Sequence, residues 1–296
     1  MILAAIDIGS NAARLLITEV ITYKDGTTDF TKLNLVRIPL RLGLDVFSQG
    51  HISAEKEKQT LATMKAFKLL LGVYKVNRYR VCATSAMRDA KNGAELVARI
   101  KKQTGLNIEI ISGAEEATLL YETHIAELMH DRRPYLYVDV GGGSTEVTLF
   151  SQNLVVFKES FNIGTLRLLE NQVTEEQWEH MKWVIKKHTR PLENMATIGS
   201  GGNINKIFSI SKRKEGKPLS LELLKDYHKE LSSSTVEERM HLYHLRRDRA
   251  DVIVPALQLY TSIMRWAHSD IIYVPKIGLA DGLIRMLYKE QLNDSK

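Results

Sequence analysis

Residues 137–147 read YVDVGGGSTEV: an apolar strand ends in an acid, three glycines and a hydroxyl, and a second strand begins at once. Residues 5–17, AIDIGSNAARLLI, repeat the statement. With Asp7 set against Asp139 the two segments align without a gap, Ile6-Asp7-Ile8-Gly9 on Val138-Asp139-Val140-Gly141, each followed by small polar residues and an apolar run. Small side chains in such a turn expose a row of backbone N–H groups, because glycine reaches unusual dihedrals and lets an anion close to the main chain. Concave rows of amides bind phosphate oxygens. Gly141, Gly142, Gly143 and Ser144 suit that role, and Ser10 and Asn11 suit it less completely. An acid beside a phosphate pocket repels the ligand unless a cation lies between them. Asp139, and Asp7 in the first copy, therefore imply a divalent ion, most simply Mg²⁺. A lone GGGS would be a hairpin turn and no more; its repetition argues for a site. The pattern is not a Walker A loop, since no Gly-Lys-Ser/Thr follows, and not a Rossmann fingerprint, since a strand comes next.

The two halves continue in parallel. Strand-like segments at 2–8, 12–20 and about 31–40 precede SAEKEKQTLATMKAFKLLLGVYKV, a helical pattern with Ser53 placed as N-cap. YRVCATS predicts a short buried strand, 92–104 a helix ended by Gly105, IEIISG a strand, and AEEATLLYETHIAELM a helix opening on two acids. The second half predicts strands at 135–140, 145–150 and 154–161, helices through 163–189, and a strand at 195–199 leading through GSGGN into a helix. Long helical stretches fill 219–268, DIIYV makes a last strand, and 279–292 a closing helix. Three strands, helix, strand, helix, strand, helix, given twice, predicts a duplicated α/β architecture. Two such domains side by side would set the Asp-Gly turns on opposite walls of one cleft.

The chain's 296 residues allow two ordinary domains, and 44% apolar with 26% charged residues is a globular balance. No run of about 18 uncharged apolar residues occurs, which argues against a membrane span, and MILAAIDIGSN lacks the basic start of a signal peptide. One cysteine, Cys82, excludes an internal disulfide and suits a reducing cytoplasm; its place in a predicted strand makes it a small buried apolar residue. A formal charge of +6 favours an anionic partner, whether nucleotide, nucleic acid or phosphate chain, although solvated surface accounts for it equally.

Three further loops fall at the carboxyl ends of strands. ATSAMRDAKN supplies Thr84, Ser85 and Arg88; the arginine fork can clamp a phosphate, or it can pair with Asp89 or Glu95 as most surface arginines do. ISGAEEA sets Glu115 and Glu116 at a helix start, about 100° apart, so only one can face a ligand. IGSGGN places Gly199, Gly201 and Gly202 before a helix N-terminus, which draws anions. A carboxylate beside a metal-bound phosphate can orient or deprotonate the attacking water. The pair His241 and His244 has metal-like helical spacing but no third partner, and reads as helix surface. SKRKEGKP, 211–218, is a basic loop that could guide an extended anion or simply lie in solvent.

Taken in order, DIGSNAARLL, ATSAMRDAKN, ISGAEEA, DVGGGSTE, GSGGN and GLADG resemble the exopolyphosphatase/guanosine pentaphosphate phosphatase family from residue 4 to about 287. The resemblance implies ribonuclease-H-like domains of the actin/Hsp70/hexokinase-like fold around an interdomain cleft, divided as 1–122 with 283–296 and 123–282. It implies Mg²⁺-dependent hydrolysis of terminal phosphoanhydrides, in inorganic polyphosphate or guanosine pentaphosphate, by a cytoplasmic enzyme that pairs as a homodimer and binds neither nucleic acid nor membrane. By motif, Glu116 maps to the base, Arg88 to a phosphate-contacting arginine, and Asp139 and Glu146 to acids near the metal. Gly141 to Ser144 and Ser10–Asn11 map to phosphate loops. The chain departs from the pattern at Ala12, where a second serine is usual, and at Ala280-Asp281, where an arginine precedes the acid. The resemblance is to the short, two-domain form and not to longer relatives with a helical C-terminal domain, and the expectation from it is short chains as substrate. Kinase chemistry on the same fold and a non-catalytic sensor of polyphosphate or an alarmone remain alternatives.

Overall fold

The computed structural model describes residues 1–121, 133–152, 154–275 and 278–294. Two compact units are formed, Met1–Thr123 with Gly278–Lys296, and His124–Ile277. In the first, β1 (Ile2–Ile8), β2 (Ala13–Thr22) and β3 (Thr28–Ile38) lead to α1 (Leu42–Gln49) and α2 (Ala54–Val73). There follow β4 (Arg78–Ala83), α3 (Ser85–Asp89), α4 (Gly93–Thr104), β5 (Ile108–Ile110) and α5 (Gly113–Tyr121). The second unit holds β6 (Tyr135–Val140), β7 (Thr145–Ser151), β8 (Leu154–Phe161), α6 (Thr165–Leu169), α7 (Glu175–Thr189), β9 (Ala196–Ser200) and α8 (Gly202–Ile210). It continues with β10 (Leu219–Ser220), α9 (Leu221–Ser232), α10 (Val236–Leu242), α11 (Arg247–Ala250), α12 (Ile253–Trp266) and β11 (Ile271–Tyr273). The closing helix α13 (Leu279–Asp294) returns to the first unit, against β1.

Both sheets have one topology. The first runs β3-β2-β1-β4-β5; the second, β8-β7-β6-β9-β11, carries β10 as an added edge. In each the first three strands are antiparallel and the next two join in parallel, the ribonuclease-H-like arrangement. The duplication extends to a defect: the β2–β3 register slips between Ile17 and Thr18, and β7–β8 slips between Leu149 and Phe150, the same offset that relates Asp7 to Asp139. The central strands are buried on both faces, as strands covered by helices on both sides must be: β1 buries Leu3 to Ile8 and β6 buries Tyr135 to Val138. In the second unit Val138, Val147, Ile204, Tyr260 and Ile263 share one core.

Local signals explain most boundaries. Ser53 accepts from Lys56 N–H at 3.4 Å as the N-cap of α2, and Gly105 ends α4 at φ 71°. One element goes unread in the sequence and two expectations are corrected. Residues 42–49 are a helix, entered through Arg41 at φ 55° and too short for its periodicity to show. The stretch 219–268 is broken into α9 to α12, with β10 paired to β11 ahead of it. His241 and His244 do not share a helix face, because α10 ends at Leu242 and His244 is left-handed at φ 48°. The expected helix from 114 to 129 is seen through Tyr121; its remainder and the division at 122/123 lie outside the described residues.

Candidate active site

The two hairpin turns close alike: Gly9 N–H donates to Ala12 O at 3.0 Å, and Gly141 N–H to Ser144 O at 2.9 Å. Their carbonyls are tied to the segment that follows the third strand of each unit. Thr165 N–H donates to Gly141 O at 3.0 Å, Leu166 N–H to Gly142 O at 2.8 Å, and Arg167 Nε to Gly143 O at 2.8 Å. In the first unit Gly43 N–H reaches Ser10 O at 2.9 Å and Arg41 N–H reaches Asn11 O at 3.0 Å. A planar trans peptide sends its N–H away from its C=O. With three oxygens held back, the N–H groups of Gly142, Gly143 and Ser144 project from the other side of the turn, where they meet no partner among the described residues. Gly164 permits this backing, since a Cβ there would lie 2.5 Å from the carbonyl carbon and oxygen of Gly142.

The acids differ between the copies. Register places Asp7 opposite Arg14 and Asp139 opposite Glu146. In the first unit Arg14 Nη1 donates to Asp7 Oδ2 at 2.8 Å. Burial nevertheless dominates and raises the Asp7 carboxyl above its ordinary range, with Arg14 opposing. In the second unit the same cross-strand position holds two carboxylates with oxygens within 4.8 Å of each other. Asp139 is half-buried, and Glu146, at 1% exposure, accepts from Ser160 Oγ at 2.8 Å. Like charges directly opposite destabilise a ladder. A hard divalent cation with oxygen ligands removes the conflict, so this pair fits Mg²⁺.

Buried phenols brace the strand end beneath Asp139. Tyr137 donates to Ser200 Oγ at 2.6 Å; Tyr260 donates to Ser200 O and accepts from Val140 N–H at 3.3 Å. Burial first, and the Asp139 charge second, push both phenols well above their ordinary range, so they remain donors. The chain then turns into α8 through Gly201 at φ 111°, where a Cβ would stand 3.0 Å from both Asp139 Oδ1 and Val140 O. At Gly202 a Cβ would meet the Arg249 guanidinium at 2.2 Å, and Arg249 Nη1 donates to Asn203 Oδ1 at 3.2 Å. A cation thus stands at the glycine turn of β9.

In the first unit Ser10 Oγ lies 2.7 Å from Ser85 Oγ, which ties the loop after β4 to the first turn. Arg88 Nη1 donates to Ile111 O at 2.9 Å and its Nε lies 3.6 Å from Asp89, so the expected Asp89 pair is present and the fork is partly committed. The two acids of α5 separate cleanly. Glu115 accepts from Ser112 N–H at 2.7 Å and Oγ at 2.9 Å, while its own N–H donates to Ser112 Oγ at 3.1 Å, a capping box. Glu116 is half-buried and has no part in that cap. Asp281, the acid that the motif keeps, accepts from Gly278 N–H at 2.9 Å and pairs with Lys32 at 2.7 Å at the start of α13.

Sequence reading placed Ser10, Asn11, Arg88 and Glu116 at strand ends of one unit, and Asp139, Gly141 to Ser144, Glu146, Gly201 and Gly202 at those of the other; each set is found there. It missed Gly164, Arg167, Arg249 and Tyr260. The first two are marked only by following an apolar strand; Arg249 and Tyr260 reach the turn from far along the chain. The basic loop 211–218 is largely exposed.

A model of the family described as Ppx/GppA phosphatase matches residues 20–291. The bifunctional 3-dehydroquinate synthase/phosphatase of Fusobacterium nucleatum is 27% identical over 298 residues, 92% of this chain and 44% of that one. Exopolyphosphatase 2 of Mycobacterium tuberculosis is 36% identical over 172 residues, 56% of this chain and 53% of that one. The chain spans about half the length of the curated relatives it matches. Among solved structures, an exopolyphosphatase from Cytophaga hutchinsonii gives a TM-score of 0.83 at 26% identity over 98% of each chain. A Ppx/GppA family member from Aquifex aeolicus gives 0.75 at 26% identity, over 100% of this chain and 99% of that one.

Proposed function

The chain belongs to the Ppx/GppA phosphatase family, and from that premise we propose that it releases terminal orthophosphate from inorganic polyphosphate by attack of water on phosphorus. The observation that carries this reading is the glycine turn whose oxygens are tied back and whose amides project, with one rung of the ladder between it and a carboxylate pair. Gly142, Gly143 and Ser144 would hold oxygens of the terminal phosphate, with Ser10 and Asn11 in the same role on the first turn and the helix start at Gly201 and Gly202 beside it.

Asp139 and Glu146 would hold Mg²⁺, which when bound offsets charge on the phosphoryl oxygens. Asp7, whose charge Arg14 answers, enters as an outer partner through bound water. Glu116, at the start of α5, would orient the attacking water and take its proton, and Arg88 would steady the phosphoryl group. The names of the mycobacterial and Cytophaga relatives favour polyphosphate. Guanosine pentaphosphate presents the same terminal group and is the second reading. A cytoplasmic setting and a paired chain belong to the proposal; among the described residues no helix is long and apolar enough to cross a membrane.

Phosphate release is to be measured on polyphosphates of graded length, guanosine pentaphosphate and ATP, with and without Mg²⁺, and with ADP to expose phosphotransfer. Glu116→Gln should lower kcat by about 10²–10⁴-fold while leaving substrate binding intact. Undiminished turnover in that variant removes Glu116 from the chemistry.

A further inference from the structure

A pocket of about 620 Å³ opens on the second unit, lined by Lys182, Trp183, Lys186 and Arg190 along α7 and its end, with Trp266 and His268 where α12 stops. Positions 182, 186 and 190 recur at four-residue spacing, so these cations form a row along one helix face, with steps of about 6 Å. Lys187 adds a fourth, its Nζ 4.8 Å from the Trp183 ring centre. Glu179 is the acid of the pocket, and it pairs with Lys182 at 2.7 Å. A helix C-terminus attracts cations in any case. That explains Lys186 and Lys187, but neither the extension of the row over two turns nor the indoles set among it. Trp266 forms a floor, 5% exposed and edge-on to Trp178 at 5.4 Å, whereas Trp183 is 56% exposed.

This is not the glycine-turn site. The turn at 141–144 follows the carboxyl end of β6, while α7 passes through Arg190 towards the amino end of β9, which is parallel to β6. His268 likewise precedes the amino end of β11. The pocket therefore lies at the opposite end of the sheet.

We propose that this pocket is a second binding site for an oligophosphate. A cation row of that pitch matches successive phosphates of a short chain, and the guanidinium fork of Arg190 suits a phosphate end. A single orthophosphate would leave most of the row unanswered. The group can arrive as inorganic oligophosphate or as a nucleoside triphosphate, whose base can lie against the exposed Trp183 indole.

Tripolyphosphate and ATP are titrated separately into the full chain in EDTA at constant ionic strength, followed by calorimetry and tryptophan fluorescence. Lys186→Glu with Arg190→Glu should weaken binding at this site by at least about tenfold, and Lys186→Gln with Arg190→Gln less, in the same direction. Loss for both probes establishes the shared phosphate chemistry, and loss for one alone names the source. Affinities unchanged in both double variants overturn the proposal, and the neutral pair decides should the reversed pair misfold. Glu116→Gln should leave this binding unaltered, so failure here and failure of the hydrolytic reading are told apart.

Discussion

Gly201 and Gly202 are neighbours with different surroundings. A methyl at Gly201 would press on the Val140 carbonyl and the Asp139 carboxylate, in a backbone conformation that L side chains avoid. A methyl at Gly202 would press on the end of a side chain that can swing aside. Gly201→Ala should therefore lose about 1–3 kcal/mol of stability and, on the proposed reading, Mg²⁺ affinity with it. Gly202→Ala should keep its melting temperature and raise KM by displacing Arg249. Thermal unfolding and steady-state kinetics check this, and equal losses of stability in the two variants would refute it. Asp7 and Asp139 were legible because apolar strands frame them. The opposition of Arg14 and Glu146 was not, because it depends on register, which a four-residue turn sets only once the hairpin is known to close there. Arg249 could not be read at all: its proximity to Gly202 is a product of tertiary packing.

Among the elements, α5 shows how a helix start divides labour between adjacent acids. The sequence showed that only one of Glu115 and Glu116 could face a ligand, and Glu115 is the one that enters the capping box. Hydrogen bonds from the Ser112 backbone and hydroxyl hold the Glu115 carboxyl below its ordinary 4.5. A depressed carboxyl contributes stability that is present above its unfolded pKa and lost as pH falls through the folded one. The stability difference between the parent and Glu115→Gln should hold at neutral pH and shrink as pH drops below 4.5, in chemical denaturation at graded pH. A difference independent of pH would remove the charged cap. Ser112→Ala should cost about 1 kcal/mol. The longer helices with clear caps were legible. Residues 42–49 and the breaks within 219–268 were not, since one or two turns carry too little periodicity to stand out from a general helical tendency.

Over the whole molecule, doubling was the most legible property, because it recurs at several levels: motif, strand order, turn closure and the shared slip in register. The cysteine shows how far burial reaches. Cys82 lies inside β4, fully buried, and burial pushes its thiol up to about 12, so it is neither ionised nor accessible at working pH. A chromogenic disulfide should find no thiol in the native chain and one equivalent in denaturant; prompt native reaction would contradict the packing of the first sheet.

The hairpins of the two units are twins that parted at one rung. Where the first copy sets Arg14 opposite its acid, the second sets Glu146 opposite Asp139. On the proposed reading, that one exchange is what would make the second hairpin answer to the ions around it.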